Sequence, residues 1–327
     1  MRTVRIVKDY SYDLLKNSPM RLGVWGDVQF TEDKVDNCDY LIILNKVDYP
    51  FTVNVPPNNV WAVMQEPPIT QFKSLHRSAR CVRRVFTQDK DLKGKRFIHS
   101  QPALPWHIQK TYDELKQTHI TEKNNLLSWI TSNKSFLPGH RTRLGFVKEV
   151  KKISELHLYG RGFQFIEDKW DGLASYRYSL AVENFQNEFY WSEKVADCFL
   201  AWTMPIYYGC TRITEYFPSE ALIQIDISDS KNALEKIREA IYSNSWQKNR
   251  DAIEEARRRV LDQHQLFPFL AQHIYEWEKE QASEAIPQEV YITNHLSWSE
   301  EMIYRTTPNI VKKVVGKVRK IASHVRL

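Results

Sequence analysis

The stretch from Tyr176 to Asp226, YRYSLAVENFQNEFYWSEKVADCFLAWTMPIYYGCTRITEYFPSEALIQID, constrains this chain more than any other. Tyr178 to Val182 is a short apolar run suited to a buried strand, and it ends in the polar pair Glu183-Asn184. Ser192 is placed to N-cap a helix running to about Trp202, with Glu193 in its first turn and Val195, Phe199, Leu200 and Trp202 as its apolar face. Pro205 stops that helix, and Ile206 to Tyr208 begins another strand closed by Gly209. Strand, polar loop, helix and strand make one βαβ unit, whose polar residues fall where an open α/β sheet binds ligand. A helix start offers unpaired N–H groups and partial positive charge, which favour phosphate. Lys194 adds a compact cation for a pyrophosphate, and Glu193 and Glu183 can accept hydrogen bonds from ribose or sugar hydroxyls. Taken alone, a Glu-Lys pair is more often a solvated feature of a surface helix.

At 327 residues the chain suits two domains of ordinary size, and 42% apolar with 26% charged residues is ordinary for a soluble globular protein. The net charge of +6 is a property of the tail: seven Lys or Arg and no acid follow residue 304, which leaves the body near neutral. A nucleic-acid face spread over the fold is therefore excluded. Cys38, Cys81, Cys198 and Cys210 have no C-x-x-C spacing, so neither a zinc site nor a disulfide framework is signalled, and a reducing compartment is the simpler expectation. No apolar run approaches the roughly 20 residues that span a bilayer, and MRTVRIVKDYSYD has no signal-peptide core.

Residues 1 to about 122 read as alternating strands and helices. Arg21–Trp25, Tyr40–Leu44, Val60–Met64 and Arg84–Thr87 are short apolar runs with the character of strands. Pro67-Pro68 can start a helix through Phe72 and Leu75 toward Arg80, while Asp36–Tyr40 and Asn54–Asn59 look like turns. With no G-x-G-x-x-G and few glycines, a nicotinamide-dinucleotide domain is not expected. Glu66, in WAVMQEPP, follows a strand and precedes a Pro-Pro turn, so it projects from the carboxyl edge of a sheet. Position alone does not separate a functional carboxylate there from an idle one.

Trp106–Asn125 reads as a linker with one polar helix candidate, Gln109–Gln117. Leu126–Thr131 is then a strand entering Ser132-Asn133, Arg141–Ile153 a helix, and Leu156–Gly162 a strand with a tight turn. Arg143 and Arg141 compete as a planar fork able to pair with phosphate near a strand end. Beyond Asp226 the helical patterns are Ser230–Tyr242, the charged Trp246–Gln265, and Phe267–Glu280 interrupted at Pro268. As a helix from Ile310, the tail puts Val311, Val314, Val315, Val318, Ile321 and Val325 within about 140° of one another, with its cations opposite. Such a helix fits anionic headgroups, each cation contributing on the order of 1 kcal/mol. A packing helix in a homodimer and a disordered basic tail are the alternatives.

ENFQNEFYWSEKVADCFLAWTMPIYYG resembles the donor-binding signature of glycosyltransferase family 10, the α1,3/α1,4-fucosyltransferases, in its bacterial form. The matching residues are Glu183, Asn184, Tyr190, Ser192, Glu193, Lys194, Pro205 and Gly209, and LLSWITSN followed by R-x-x-F looks like the opening of that family's second domain. The resemblance implies an α/β GT-B fold, two Rossmann-like domains facing across a cleft, here followed by a C-terminal basic amphipathic helix. On that reading residues 1–122 are the acceptor-side domain, 123–283 the donor domain, and 284–327 a helical segment with the basic tail. It implies an inverting transfer of L-fucose from GDP-fucose to a hydroxyl of an oligosaccharide or glycolipid, α1,3 or α1,4, in surface-glycan or lipopolysaccharide synthesis. Glu66 takes the role of catalytic base, Arg143 and Lys194 meet the diphosphate, Glu193 binds hydroxyls, and Glu183, Asn184 and Tyr190 complete the donor pocket. No Asp-x-Asp motif lies near, so no cofactor or obligatory divalent cation is expected. The expected location is cytoplasmic, peripheral at the inner face of the membrane through residues 310–327. Trp202 stands where many members have Gly, and Tyr207-Tyr208 where the strand is usually aliphatic. A GT-B transferase using another nucleotide sugar, or a carbohydrate-binding protein without turnover, are the alternatives.

Overall fold

An interior strand of the first sheet comes from a run with no strong apolar signature, RTVRIVK. In the computed structural model, which describes residues 1–281 and 286–298, these residues form β1 (Arg2–Lys8), burying Val4 and Ile6. β2 (Val24–Trp25) and β3 (Val28–Thr31) form a hairpin, and β4 (Tyr40–Leu44), β6 (Val60–Val63), β7 (Arg84–Thr87) and β8 (Phe97–His99) complete the sheet. Its order is β2-β3-β1-β4-β6-β7-β8, parallel except for the β2–β3 pair. β5 (Phe51–Val55) lies outside it. Parallel strands buried on both faces explain the unbroken apolar run YLIIL of β4, all five residues of which are buried.

α1 (Tyr112–Gln117), fixed by a capping box between Thr111 and Glu114, leads into the second sheet. There β9 (Asn125–Ile130), α2 (Pro138–Val150), β10 (Leu156–Tyr159), β11 (Tyr176–Val182), α3 (Glu193–Leu200), β12 (Met204–Tyr208), α4 (Ile213–Tyr216) and β13 (Ile223–Gln224) follow in sequence. All five strands are parallel, in the order β10-β9-β11-β12-β13. α5 (Ser230–Tyr242), α6 (Ser245–Lys248) and α7 (Arg250–Arg259) close this half, and α8 (Leu266–Glu280) follows.

In both sheets the first strand lies between the second and the third of the parallel series, so each has a topological switch point beside its first strand. In the first sheet it falls between the carboxyl ends of β1 and β4, at Asp9 and Asn45. In the second it falls between β9 and β11, at Thr131-Ser132 and Glu183-Asn184. The two carboxyl edges face each other. Asn187, in the loop after β11, donates to the Gln88 carbonyl after β7 at 2.8 Å, and Phe189 stacks on His99 with ring centres 5.5 Å apart.

Several expectations are corrected by packing. α8, grouped by sequence with the second half, buries Phe267, Leu270, Ala271 and Ile274 against Phe30, Trp61 and Phe86 of the first sheet. Each such side chain contributes about 1.5–3 kcal/mol by burial, which outweighs its place in the sequence. Pro268 does not interrupt α8, because it occupies the first turn, where no intrahelical N–H partner is needed. Within 284–298, read as helical, β14 (Gln288–Ile292) is a strand antiparallel to β5, alternately burying Val290 and Ile292. That pairing also claims Asn54 and Val55, read as part of a turn.

Between Pro67 and Arg80 only the short 3-10 turn Leu75–Arg77 forms. Buried His76 ties it to the sheet through the Glu66 carbonyl at 2.9 Å and Thr87 Oγ1 at 2.7 Å. Of Arg21–Trp25 only Val24–Trp25 is strand, since Arg21 has a left-handed backbone (φ 57°). Trp246–Gln265 is broken into α6, α7 and a π-helical turn, Val260–His264. The supposed linker is packed: Trp106, Ile108 and Leu115 are fully buried. The tail assigned to membranes, 310–327, lies outside the described residues.

α3 ends in a Schellman motif, with Thr203 N–H donating to the Cys198 carbonyl (2.9 Å) and Trp202 N–H to that of Phe199 (3.0 Å). Trp202 therefore holds a left-handed backbone (φ 60°), the conformation that favours the glycine expected here. Packing keeps the tryptophan: it is 8% exposed, its indole N–H donates to the Thr118 carbonyl, and the Arg257 guanidinium lies 4.9 Å from its ring. Relief of left-handed strain is worth about 1–2 kcal/mol. Removal of a buried tryptophan costs about 3–5 kcal/mol. Trp202→Gly should therefore lower stability by about 2 kcal/mol in urea unfolding; an unchanged or raised midpoint would show that backbone strain dominates.

Candidate active site

The polar residues at the second switch point are set by close backbone packing. Pro138 and Gly139 begin α2, and Gly139 lies so near Asn184 that an added Cβ would fall 1.7 Å from the Asn184 carbonyl oxygen. The helix start is thereby pressed against the carboxyl end of β11. One helical turn on, Arg143 points back over the switch point. Its guanidinium donates to Asn184 Oδ1 and, at 3.2 Å, to Ser132 Oγ, so it spans the ends of β9 and β11. Arg143 is only 4% exposed, and its Nε has no partner. Burial lowers its proton affinity, while Glu183 and Glu193 nearby raise it. Arg141 is exposed and turns to the carbonyls of Ser135 and Phe136. Of the two arginines, Arg143 is the one that reaches the switch point.

Ser192 caps α3, accepting from Lys194 N–H. The Glu183 carboxylate occupies the same helix start, accepting from Ser192 N–H at 2.8 Å and Ser192 Oγ at 2.6 Å. Lys194 Nζ is 3.1 Å from the other Glu183 oxygen and 3.4 Å from Glu193 Oε1. Glu193 also meets Lys169 at 3.4 Å, and Lys169 meets Asp197 at 3.2 Å. Charges thus alternate along Glu183, Lys194, Glu193, Lys169 and Asp197. His107, reaching in from the chain between the two sheets, joins through Glu193 at 3.7 Å, and its backbone N–H donates to Asp197.

The network sets each protonation tendency. Burial pushes the Glu183 carboxyl above its ordinary range, with Lys194 pulling the other way. Burial acts likewise on Glu193, but Lys194, Lys169 and His107 outweigh it and hold that carboxyl well below its usual range. Burial works against the charge of Lys194, yet Glu183 and Glu193 leave its proton affinity raised. Asp197 is lifted by burial, opposed by Lys169.

Two expectations change. Glu183, read as a partner for ligand hydroxyls, is 1% exposed with both oxygens engaged, so it anchors Ser192 and Lys194. The α3 start, read as a phosphate seat, already holds that carboxylate. Gly209 enforces the arrangement by close approach, since a Cβ there would lie 2.5 Å from Glu183 Cγ. Tyr190 is buried, edge-on to Phe185, with Asn187 Oδ1 accepting from its backbone N–H. Burial, reinforced by Glu183, Glu193 and Glu66, keeps its phenol protonated.

Glu66 stands on the opposite side, just past β6, with its side chain exposed in the cleft. Its backbone is fixed at both ends: N–H donates to Asn45 Oδ1 at 3.2 Å, and the carbonyl meets His76 Nε2 at 2.9 Å. Crowding by protein raises its proton affinity first and Asp9 second, while Lys194 and Lys134 lower it and Glu193 raises it. The charges of α3 thus act on Glu66 across the gap. Lys169, Asp197, His107, Asp9 and Asn45 were not singled out by sequence. Asp197 alone carried a signal, as an acid inside the apolar helix face VADCFL.

Two Rossmann-like α/β halves opposed at their carboxyl edges are the GT-B glycosyltransferase architecture. Residues 120–249 match the model described as glycosyltransferase family 10 (fucosyltransferase) C-term, a likeness confined to the second half of the chain. It is similar to 4-galactosyl-N-acetylglucosaminide 3-alpha-L-fucosyltransferase 9 of Mus musculus and of Homo sapiens, 28% identical to each over 131 residues. Each alignment takes in 38% of this chain and 36% of the relative, so the chain spans little more than a third of the curated relatives' length. A crystal structure of an alpha1,3-fucosyltransferase superposes with a TM-score of 0.50 at 14% identity, covering 86% of this chain and 91% of that one, a likeness of fold.

The ion chain makes Lys194 the residue whose loss strands Glu183, since Glu193 keeps Lys169 and His107. Lys194→Met should destabilise the protein by about 3–5 kcal/mol at pH 8. Glu183 is already lifted by burial, and without Lys194 its carboxyl rises further; protonation on acidification then favours the folded variant relative to wild type. The gap in Tm between variant and wild type should narrow from pH 8 to pH 5. A constant gap would mean that Glu183 does not depend on Lys194.

Proposed function

We propose that this chain transfers L-fucose from GDP-fucose to a hydroxyl of a glycan, with inversion at the anomeric carbon. The observation that carries the reading is Arg143, a buried guanidinium laid across the switch point of the second sheet with Glu66 on the facing edge. Glu66 takes the proton from the acceptor hydroxyl as that oxygen bonds to the anomeric carbon. The bond from that carbon to the β-phosphate oxygen breaks, and the electron pair leaves with GDP. The Arg143 fork and Lys194 meet the charge developing on the diphosphate, Lys194 by exchanging part of its contact with Glu193. Glu193 and Asn184 take hydroxyls of ribose or fucose, and Tyr190 walls the pocket. The two cations do what a divalent ion does elsewhere, so turnover needs none.

The linkage is α1,3 or α1,4, and the acceptor is a sugar hydroxyl of a surface glycan, lipopolysaccharide included. The likeness of the donor segment to the curated 3-alpha-L-fucosyltransferases supports the sugar and the linkage. No helix among the described residues is long and apolar enough to cross a membrane. The basic amphipathic pattern of 310–327 supports peripheral attachment to an anionic membrane, at the cytoplasmic face.

GDP at about 100 times its Kd should raise Tm by roughly 5 °C, and UDP should not; equal shifts would overturn the donor assignment. Glu66→Gln should retain the GDP shift and lose transfer about a thousandfold. Because the Glu66 carboxyl is raised, the wild-type rate should fall on acidification at a pH above the ordinary carboxylate range. Chelator should leave the rate unchanged, and a chelator-sensitive rate would assign the charge stabilisation to a metal.

A further inference from the structure

The first sheet has its own switch point, and its two polar residues are joined to each other and to the chain carrying Glu66. Asn45, directly after β4, is buried with a left-handed backbone (φ 60°). Its Nδ2 donates to Asp9 Oδ1 at 3.2 Å, directly after β1. Its Oδ1 accepts from both Gln65 N–H, at 2.8 Å, and Glu66 N–H, at 3.2 Å. One amide side chain therefore uses both ends: one to hold Asp9, the other to hold the two peptide groups that aim Glu66. Gln65 is fixed as well, accepting from Tyr10 Oη at 2.8 Å and donating to the Ala103 carbonyl at 3.3 Å.

We propose, on the reading of Glu66 as base, that Asp9 acting through Asn45 is the positioning residue of the transfer reaction, fixing where the Glu66 carboxylate points. An amide can rotate so that its nitrogen and oxygen exchange places. Asp9 accepts only, so it selects the orientation in which the Asn45 oxygen faces the Gln65 and Glu66 N–H groups. With that orientation lost, two backbone donors face an NH2 group and the Glu66 segment is released. Asp9 is also a like charge near Glu66, and it disfavours a second negative charge there. The other groups facing Glu66 are Glu193 and Lys194 from α3 and Lys134 from the loop after β9, while His76 binds its carbonyl. Asp9 itself faces Lys46, 3.8 Å away, which is held closer by Asp48 at 2.7 Å.

The test is a kinetic series on the full chain, using GDP-fucose and N-acetyllactosamine with GDP release as the readout. Asp9→Asn keeps an oxygen able to accept from Asn45 but removes the charge, so the acid limb of kcat/KM should move to lower pH by roughly 0.5–1 unit. Asp9→Ala removes the acceptor and should lower kcat about tenfold while KM for GDP-fucose stays within twofold. Asn45→Gly keeps the left-handed backbone and should reproduce the kcat loss, with Tm values confirming that each variant folds. An unmoved acid limb in Asp9→Asn, or full kcat in Asp9→Ala, would overturn the proposal. Failure of the underlying reading looks different: wild type would release no GDP, or Glu66→Gln would turn over normally.

Discussion

The alternating ion chain at the start of α3 is the constraint on which the second half's side of the cleft depends. Five ionised groups, from Glu183 to Asp197, lie in or next to the core between β11 and β12, and each alone would carry a desolvation cost of several kcal/mol. Together the two lysines offset two of the three carboxylate charges, and backbone N–H groups donate to Glu183 and Asp197 as well. A buried network of this kind adds little net stability over an apolar core. What it supplies is a rigid placement of charge. With Glu183 at the α3 start, its Ser192 N–H is already taken, while on α2 Arg143 keeps an unpartnered Nε at the neighbouring switch point.

The two switch points follow from topology alone. A parallel sheet whose second and third strands lie on opposite sides of the first must open a crevice at that strand's carboxyl end. Both halves have this order, so both present a crevice, and the chain crossing back through α8 keeps them opposed. The occupants differ in sign. The second crevice holds Arg143 bridging Ser132 and Asn184, whereas the first holds Asp9 bridged by Asn45 to Glu66. A cationic crevice opposite an anionic one suits a reaction in which an anionic leaving group departs on one side and a proton is taken on the other.

Much of the second half was legible in the sequence because its signals are local. The apolar run of β11, the Ser192 cap, the stop before Pro205 and the Gly209 turn each act within a few residues, and the observed elements follow them. The first half was less legible. β1 mixes Arg with Val and Ile, because its Arg5 lies against Phe51 and the Val35 carbonyl instead of facing open solvent. β14 becomes a strand only because β5 offers an edge 230 residues or so earlier in sequence, a pairing no local pattern encodes. The site divided along the same line: Glu183, Ser192, Glu193 and Lys194 come together within one short stretch of sequence, while Asp9, Asn45, His107 and Lys169 reach the cleft only through long-range folding.

Trp202 shows how a departure from the family pattern can leave the site intact. The left-handed turn after α3 requires backbone freedom that glycine supplies without strain, and a tryptophan bears that strain instead. Its ring is held by the Thr118 carbonyl and the Arg257 guanidinium, while the Trp246 indole donates to its backbone carbonyl, so Trp246 and Arg257 also tie α6 and α7 to the end of α3. The substitution therefore changes how the helix is anchored at its carboxyl end. Lys194 and Glu193 sit at the opposite end, two turns away. Trp202 thus bears on the stability of the second half, and the charges facing Glu66 are set by groups it does not touch.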